Sequence, residues 1–526
     1  MRIPIGIDLG TTICVVATVT DEGVVQVVPN EQGELLTPSV AHFVGPGSVV
    51  VGSEAKAAAP VAPDRVVAAI KRQMGSDFTL SFDDVSYRPE GISAIILRAL
   101  VDAAARELGV KPADLVAVVT VPAYFGTAER EATAAAARIA GLETLDLVAE
   151  PVAAALSYGV GSGARGSVLV YDLGGGTFDA TVIELTDDGP RVVAVDGASR
   201  LGGLNFDEHL GTLLLERYVT ATGDDGAEDD EEFVLRVFAD AEQVKKKLST
   251  TETAAAVLSR AGRTVKVVVT RPELETATAS LVEETLSVVD RVVAEASGRG
   301  VPRPAQVLLT GGSTRIPAIA RALEARLGVA VRLSDPDTAV AKGAAIHCRA
   351  LVRGPQPRLE RRLLAPTTAA RVLASGPVSS VVPRALGIKL HDSSDPSGER
   401  VFVEHIVQAN TALPVEGATA TFATVVDGQE RVRIELMEQA GSHAAPELEY
   451  NRRVLDGELT GLPEGLPAGS PIDIRLFLGT DGRISCVATE RSTGRQLALE
   501  SYMEGVADGQ ESADQHRAVS GLMVRS

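Results

Sequence analysis

The pattern of hydrophobic and polar positions divides the chain into two parts. Up to about residue 352, short β-branched runs alternate with longer stretches rich in alanine and leucine. This alternation is typical of an α/β domain, in which strands and helices follow one another. The predicted strands are Ile3–Leu9, Leu115–Val121, 167–171 and Gln306–Thr310, and the predicted helices are 92–108, 127–140, 234–248 and 272–296.

Beyond residue 383 the hydrophobic period changes to two. Alternating runs such as 431–436 and 472–476 predict short strands with one buried face. Turns are expected at Asp427-Gly428, Asp456-Gly457 and Asp481-Gly482, so this part is predicted to form a β-sandwich.

Two further segments have no clear period. Residues 353–382 collect prolines and arginines, which predicts an extended linker. The last residues are polar, which predicts a disordered tail. The predicted organisation is an α/β domain over 1–352, a linker over 353–382, a sandwich over 383–505 and a tail over 506–526.

Composition narrows the classes of function. Hydrophobic residues make up 45% and charged residues 23% of the chain, which is typical of a globular protein. A net charge of −20 argues against binding to a nucleic-acid backbone. Cys14, Cys348 and Cys486 are isolated, which fits reduced thiols in the cytoplasm. No apolar run reaches the ~18 residues of a membrane helix, and the start does not resemble a signal peptide.

One internal repeat carries the candidate chemistry. A strand, an Asp-Leu-Gly turn and a second strand occur at Asp8–Thr12 and again at Asp172–Thr177. Duplication of a half-domain is the natural inference. Glycine-rich turns let several backbone N–H groups approach a triphosphate closely, and the two aspartates could hold a hydrated Mg²⁺. Two unrelated β-turns would explain either segment alone, but not both together.

Further segments complete a pattern found in a known family. They are 6–12, 121–125, Glu150-Pro151, 170–179, 201–203, 311–317 and 335–337. Through these collinear motifs the chain resembles the heat-shock-seventy, or DnaK-type, chaperones, closely over residues 3–350 and more loosely over 383–500. The resemblance implies an α/β actin-like (ribonuclease-H-like) two-lobed ATPase domain followed by an all-β sandwich that binds peptides.

The resemblance also implies roles for individual residues, with ATP or ADP and Mg²⁺ as cofactors. Catalytic roles fall on Lys71, Glu150, Thr177, Asp8, Asp172 and Asp179, with Asp8 and Asp172 holding the metal through water. Nucleotide binding falls on Gly10, Thr11, Thr12, Gly174, Gly175, Gly176, Gly202, Gly203, Glu242, Lys245, Lys246, Ser249, Gly311, Gly312, Ser313, Arg315 and Asp337. Peptide binding falls on Ile388, Phe422, Val425, Val432, Ile434 and Ile472, and an interdomain relay on Pro122 and Arg130.

Simpler interpretations exist for several of these residues. Lys71 could be a solvated helix lysine, and Lys245 and Lys246 could belong to a charged helix face. Glu150 could be a carboxylate at a helix start, where the helix dipole favours it. Apolar strand residues of the sandwich are core by default.

The chain also departs from the family pattern. The leucine-rich linker of the family is replaced by 375–382, which leaves Val378, Val381 and Val382, or else Leu363-Leu364, as candidates for coupling. No helical period for a peptide-covering lid follows the sandwich, and the region 51–89 is short enough to lack a hairpin. His391 stands near a place that the family gives to an apolar residue.

The leading hypothesis is an ATP-dependent, DnaK-like chaperone of the cytoplasm. Its expected partners are unfolded polypeptides, a J-domain co-chaperone and a nucleotide-exchange factor, and it is expected to be a monomer without nucleic-acid or membrane partners. The alternative is a nucleotide-regulated scaffold with one dedicated partner, which the altered linker favours. A third reading, a sugar kinase or filament former, leaves the sandwich unexplained.

Overall fold

The computed structural model describes residues 2–162, 166–186, 189–333, 335–353, 379–392, 395, 400–441, 444–479, 483–500 and 509–525. The predicted linker therefore lies mostly outside the described residues. Among those described, no helix has both the length and the apolar character needed to span a membrane.

Strands and helices alternate up to residue 353, and strands dominate from residue 386. The strands are β1 (Ile3–Leu9), β2 (Ile13–Val19), β3 (Val25–Val28), β4 (Thr37–Pro38), β5 (Val40–Gly45), β6 (Ser48–Val51), β7 (Val66–Ala68), β8 (Leu80–Phe82), β9 (Val85–Tyr87), β10 (Leu115–Val121), β11 (Glu143–Ala149), β12 (Gly166–Leu173), β13 (Phe178–Thr186), β14 (Gly189–Ala198), β15 (Thr253–Arg260), β16 (Arg263–Thr270), β17 (Gln306–Thr310), β18 (Ala330–Leu333), β19 (Leu386–His391), β20 (Val401–Val407), β21 (Val415–Ala423), β22 (Arg431–Gln439), β23 (Asn451–Thr460), β24 (Pro471–Leu478), β25 (Ile484–Glu490), β26 (Gln496–Glu500) and β27 (Met523–Arg525). The helices are α1 (Ser53–Ala58), α2 (Pro89–Glu107), α3 (Thr127–Ile139), α4 (Glu150–Ser162), α5 (Gly203–Thr222), α6 (Glu231–Leu248), α7 (Arg271–Ala277), α8 (Ala279–Gly298), α9 (Pro317–Leu327), α10 (Ala339–Arg353) and α11 (Gly509–Ser520).

Two sheets of the α/β part share one topology. The first sheet has the order β11-β10-β1-β2-β3 with β4 beside β2, and the second has the order β14-β13-β12-β17-β18. In each, the strand that carries the Asp-Leu-Gly motif pairs antiparallel with the next strand and parallel with a later one. The sequence repeat thus corresponds to a repeated arrangement of strands.

Helices α4 and α10 lie between these sheets and pack with strands of both in one shared middle core. Helix α10 lies so close to β1 and to α4 that glycine is required at two positions. A methyl group on Gly6 of β1 would collide with the backbone of Ala345, and one on Gly343 would collide with the carbonyl group of Ala153. The backbones themselves are therefore in contact where α10 crosses β1 and α4.

The β-rich part forms two four-stranded sheets, β20-β19-β22-β23 and β21-β24-β25-β26. Apolar residues of both sheets form one buried core, with Leu436, Ile474, Leu476 and Cys486 at its most buried positions. A separate small sheet, β27-β6-β5-β7, accompanies the first sheet.

Three local predictions are wrong. Asp456-Gly457 is not a turn but lies inside β23, where a methyl group on Gly457 would collide with the Leu499 side chain. The predicted helix over 272–296 is broken at Thr278 into α7 and α8. Residues 509–525 are not a disordered tail, because they form α11 and β27.

We predict that Gly343→Ala lowers the melting temperature Tm, because α4 and α10 must separate to admit the methyl group. Overpacking of this kind costs about 1–3 kcal/mol, and differential scanning calorimetry measures the change. Gly159→Ala on α4 is the matched control, since its methyl group would meet no heavy atom within 4 Å. It should leave Tm unchanged or raise it. Equal losses in both variants would contradict the close-crossing explanation.

Candidate active site

The two glycine-rich loops meet face to face. A methyl group on Gly175 would collide with the Thr12 side chain, and one on Gly176 would collide with Thr11. The loops follow β1 and β12, the two strands that end in the repeated Asp-Leu-Gly motif. The structure thus brings the two predicted phosphate loops into contact with each other, at a separation that only glycine permits on the side of the second loop.

Hydrogen bonds hold the second loop in shape. Gly174 N donates to Thr177 O at 3.1 Å, and Gly174 O accepts from Gly203 N and from Ser313 Oγ, each at 2.9 Å. A methyl group on Gly202 would lie 2.6 Å from Gly176 N. The segments around 202 and 313, both predicted to bind nucleotide, therefore contact the second phosphate loop.

Four carboxylates converge beside the loops. Asp8 and Asp172 lie near the C-terminal ends of β1 and β12. Asp179 lies near the start of β13, and Glu150 is the first residue of α4. Burial, followed by repulsion from Glu150, raises the pKa of Asp8 and of Asp179 to about 7 and that of Asp172 well above its usual range. Thr120 Oγ1 donates to Asp8 Oδ1 at 3.0 Å, which offsets part of this shift.

Lys71 is the cation of this cluster. Its Nζ donates to Glu150 Oε1 at 2.6 Å, and both side chains are buried. Burial favours the neutral amine, but Glu150 and Asp8 together raise the pKa of Lys71 above its ordinary value, so the side chain is charged. Ala69, two residues before Lys71, has a left-handed φ of 54°, a strained conformation of the kind found at functional sites. Lys71 is not a solvated helix lysine.

The residues predicted for the nucleoside side form two groups. Glu242 of α6 pairs with Lys56 of α1 at 2.5 Å and with Lys246 at 2.8 Å. Burial raises the pKa of Glu242, but the hydrogen bonds from these lysines outweigh it and lower that pKa to about 2. Lys245 is buried and donates to Gly203 O and to Asp207 Oδ2, both at 2.8 Å.

The remaining predicted residues lie around the turn after β17. Gly311 has a φ of 81°, and a methyl group there would collide with the Leu173 carbonyl group of the second sheet. Arg315 forms an ion pair with Asp337, and Gly312 lies beside Asp337. Ser249 bonds only within its own helix end, where its Oγ donates to Lys245 O at 3.1 Å.

Sequence reasoning missed a pair that bridges the two halves of the site. Arg72 Nη2 donates to Asn205 Oδ1 at 2.8 Å, and Arg72 Nε donates to Gly176 O at 3.2 Å. Asn205 Oδ1 also accepts from Gly202 N at 3.0 Å. The only sequence signal was the position of Arg72 directly after Lys71.

Comparison with known proteins adds an independent finding. The family model described as "Hsp70 protein" matches residues 4–85 and 77–518. Similar proteins include the "Chaperone protein DnaK" of Thermotoga neapolitana and that of Thermotoga petrophila. Each is 34% identical over 509 residues, which cover 94% of this chain and 79% of the relative.

The chain belongs to the Hsp70 family. Similarity to DnaK over this length assigns to it ATP-dependent chaperone function with ATP hydrolysis, as the sequence predicted. The sugar-kinase and filament readings are set aside. The site fits the nucleotide that Hsp70 proteins bind in the chemistry of its loops, because glycine-rich turns offer backbone N–H groups to phosphate oxygens without side chains in the way.

The same site fits a cation. Buried carboxylates with raised pKa values repel one another, and a bound positive charge would relieve that repulsion. Within the described part of the chain, no group of three or more His, Cys, Asp or Glu side chains is close enough to hold a metal ion directly. The prediction that Asp8 and Asp172 bind Mg²⁺ through water remains a prediction.

The predicted relay residues adjoin a contact with the sandwich. Arg130 is half-buried, and its Nε donates to the Phe125 carbonyl at 3.3 Å; the Phe125 N–H donates to Pro122 O at 3.2 Å. Between them, Tyr124 N donates to Asp179 Oδ1 at 2.9 Å and Tyr124 Oη donates to Gly441 O at 3.0 Å. One residue therefore contacts both the acidic cluster and the sandwich.

A buried ionic cluster that sequence reasoning missed extends this contact. Glu438 of β22 accepts from both the N–H and the hydroxyl of Thr127 at 2.9 Å, and so caps the N-terminus of α3. Arg452 pairs with Glu438 and with Glu129 at 2.5 Å, and Arg384 lies 3.3 Å from Glu129. Two acids and two arginines balance in charge, which lets them be buried together.

The predicted peptide-binding residues divide by exposure. Ile388, Ile434 and Ile472 are buried in the sandwich core, and Phe422 and Val432 pack against it. Val425 is half exposed. Their part in peptide binding stays a prediction.

We predict that the nucleotide-free protein loses stability as pH rises from about 4 to above 7, because the folded state retains protons that the unfolded carboxyl groups release. Asp172→Asn removes one repelling charge. It should raise Tm at pH 8, by about 2–4 °C for each kcal/mol relieved, and much less at pH 5.

Asp77→Asn, which changes an exposed carboxylate, is the control for this pH series. Thermal unfolding of both variants without nucleotide gives the comparison. A lower Tm of Asp172→Asn at pH 8 would show that the cluster is not repulsive.

Proposed function

We propose that Mg-ATP binds between the two glycine-rich loops and that its hydrolysis regulates the grip of the β-sandwich on extended segments of unfolded polypeptides. The observation that carries the proposal is Tyr124, whose N–H contacts Asp179 in the site and whose hydroxyl contacts Gly441 in the sandwich. A change in the charge or position of Asp179 would therefore alter its hydrogen bond with Tyr124, and a movement of Tyr124 would alter the contact with Gly441 of the sandwich.

The chain's own residues take the following roles in the site. The backbone of Gly10 to Thr12 and of Gly174 to Thr177 cradles the phosphates, and Asp8 and Asp172 hold the hydrated metal. Mg²⁺, when bound, offsets the negative charge of the phosphates. Charged Lys71, fixed by Glu150, stabilises the transferring phosphoryl group and orients the attacking water, together with Thr177 and Asp179.

The remaining predicted residues hold the nucleoside. Glu242, Lys246 and Lys56 join α6 to α1 across the mouth of the cleft. The Arg72–Asn205 contact joins the same two halves deeper in the site. Both sets of contacts would part when the nucleotide leaves, so we propose that they limit its release.

The end of the altered linker also contacts the ATPase domain. Ser379 bridges to Arg191 of β14, and Val192 N donates to Ser379 O at 3.2 Å. Val381 is buried in the middle core, whereas Val382 is buried in the sandwich core. These two valines support the coupling role proposed for 378–382, of which Val378 lies outside the described residues.

We further propose the finer features of the chaperone cycle that the family suggests. These are a J-domain co-chaperone, a nucleotide-exchange factor, a two-lobed ATPase domain over 1–352 and a sandwich over 383–505. The three cysteines are buried as free thiols, which supports a reducing, cytoplasmic location. We also propose that the protein is a monomer.

We predict that Lys71→Ala lowers kcat for ATP hydrolysis at least about 100-fold, because Glu150 loses its partner and the phosphoryl group its cation. Lys266→Ala, at an exposed position of β16, should leave kcat unchanged. The parent should suppress the aggregation of several unrelated denatured proteins with ATP dependence that Lys71→Ala lacks.

The same assay separates the chaperone from the scaffold alternative. A scaffold would protect none of the denatured proteins and would retain a single partner from a lysate. Full ATPase activity of Lys71→Ala would contradict the assigned role of this lysine.

We predict that Glu438→Ala uncouples nucleotide from peptide binding, since truncating one partner of a buried charge cluster costs about 2–5 kcal/mol at an interface. The ratio of fluorescent-peptide dissociation rates in Mg-ATP and Mg-ADP should fall at least tenfold. Glu435→Ala is matched to it: the same strand carries Glu435, but its partner Lys389 lies in the sandwich, 2.8 Å away. That variant should keep the parent ratio, and an unchanged ratio in Glu438→Ala would remove this contact from the coupling.

A further inference from the structure

Residues 509–525, here called the strap, follow the sandwich in sequence but lie on the ATPase domain. Strand β27 pairs parallel with β6, with Met523 opposite Ser48 and Arg525 opposite Val50. Met523 N donates to Gly47 O at 2.8 Å. The strap thus extends the small sheet by one strand, in the manner of β-augmentation within a single chain.

Apolar burial holds the strap as well as hydrogen bonds. Val519 is fully buried and Leu522 almost so, and both belong to the core formed by the first sheet, α2 and α3. Gln515 Nε2 donates to Ser86 O at 2.9 Å, and Arg98 Nη1 donates to Val519 O at 2.7 Å. A methyl group on Gly91 of α2 would collide with Gln515. This mixture of core and backbone contacts identifies a built interface rather than a loosely lying end.

The strap closes a loop in the chain. Before the sandwich, Ser379 bridges to β14 at the edge of the second sheet. After it, eight residues join Glu500 at the end of β26 to Gly509 at the start of α11. Nine peptide units span at most ~30 Å. The sandwich is therefore fastened to the second sheet at one end and to the first half of the ATPase domain at the other.

A short series of contacts leads from the strap toward the catalytic lysine. Gln515 Oε1 accepts from Arg88 N at 3.4 Å, and Arg88 Nη2 donates to Ser76 O at 3.3 Å. Ser76 Oγ in turn donates at 2.7 Å to the carbonyl of Gln73, in the short helix Ile70–Gln73 that carries Lys71. The strap is anchored to the part of the fold that positions the cation of the site.

We propose that the strap is an intramolecular tether that restricts how far the sandwich can separate from the ATPase domain. It adds a second attachment between the two, which is covalent from the sandwich to the strap and noncovalent from the strap to β6 and the first core. The proposal rests on the domain arrangement and goes beyond the proposed nucleotide coupling. Separation beyond the reach of 501–508 would require β27 to leave β6 and Val519 and Leu522 to leave the core.

The test is to slacken the tether without removing the strap. Twenty Gly/Ser residues inserted after residue 504 keep α11 and β27 intact, whereas deletion of the strap would expose the first core. The matched control places the same twenty residues between Ala261 and Gly262, at the tip of the β15–β16 hairpin. Spin labels at Val257→Cys and Val426→Cys, two exposed positions, report the distance between the ATPase domain and the sandwich.

We expect the slackened protein to show a population with distances longer by about 10 Å or more, since a twenty-residue Gly/Ser chain spans about 25 Å on average. The parent and the hairpin control should lack that population in both Mg-ATP and Mg-ADP. Hydrogen exchange at Met523 N–H should stay slow in all three proteins, which shows that the strap remains docked.

Identical distance distributions in the slackened and parent proteins would overturn the tether, as would rapid exchange at Met523 in the parent. A different pattern would separate this proposal from the previous one. Longer distances in the slackened protein that do not depend on nucleotide would support the tether and contradict nucleotide control of the sandwich.

Discussion

Burial of Asp8, Asp172, Asp179 and Glu150 close to one another is the constraint around which the ATPase domain is arranged, because burial and then repulsion from Glu150 raise the pKa values of the three aspartates. Strand pairing brings these acids together, because the two Asp-Leu-Gly strands end at the same place between the two sheets. Among the described residues, Lys71 is the buried cation that directly opposes them, through its ion pair with Glu150. A bound positive charge would lower the cost of keeping these carboxylates ionised.

The sandwich is attached beside this acidic cluster. Asp179 takes a hydrogen bond from Tyr124, at the turn that leads into α3, and the N-terminus of α3 is capped by Glu438 of the sandwich. A helix start needs an acceptor for its free N–H groups, and here a second domain provides it. Undocking would leave both the helix start and the arginine–glutamate cluster without their partners, so the docked arrangement has a definite energetic basis.

Much of the fold could be predicted because its strands are buried on both faces. Ile3–Leu9, Leu115–Val121 and Gln306–Thr310 have the bounds that their apolar runs predict. Gly457 misled the turn prediction, since its small size serves the approach of Leu499 from a distant strand. Helix α11 has few apolar residues of its own, and its structure depends on the surface it contacts.

The site shows the same division between local and distant information. The two phosphate loops could be predicted, because each is a short local motif whose repetition reveals its partner. The Arg72–Asn205 and Thr127–Glu438 contacts join residues 133 and 311 positions apart, and no local pattern records such pairings. Charged residues near strand ends, such as Glu438, are indistinguishable in sequence from solvated ones until the fold places them.

The strap has a consequence for folding during synthesis. Because Val519 and Leu522 complete the core of the first sheet and β27 completes the small sheet, the N-terminal half cannot reach its final form until residue 525 has left the ribosome. Residues of β6 and of the first core must therefore wait for partners that lie much later in the chain, which gives the domain contacts of very large sequence separation. During synthesis the edge of β6 stays open, and the nascent chain itself must be kept from joining other strands there.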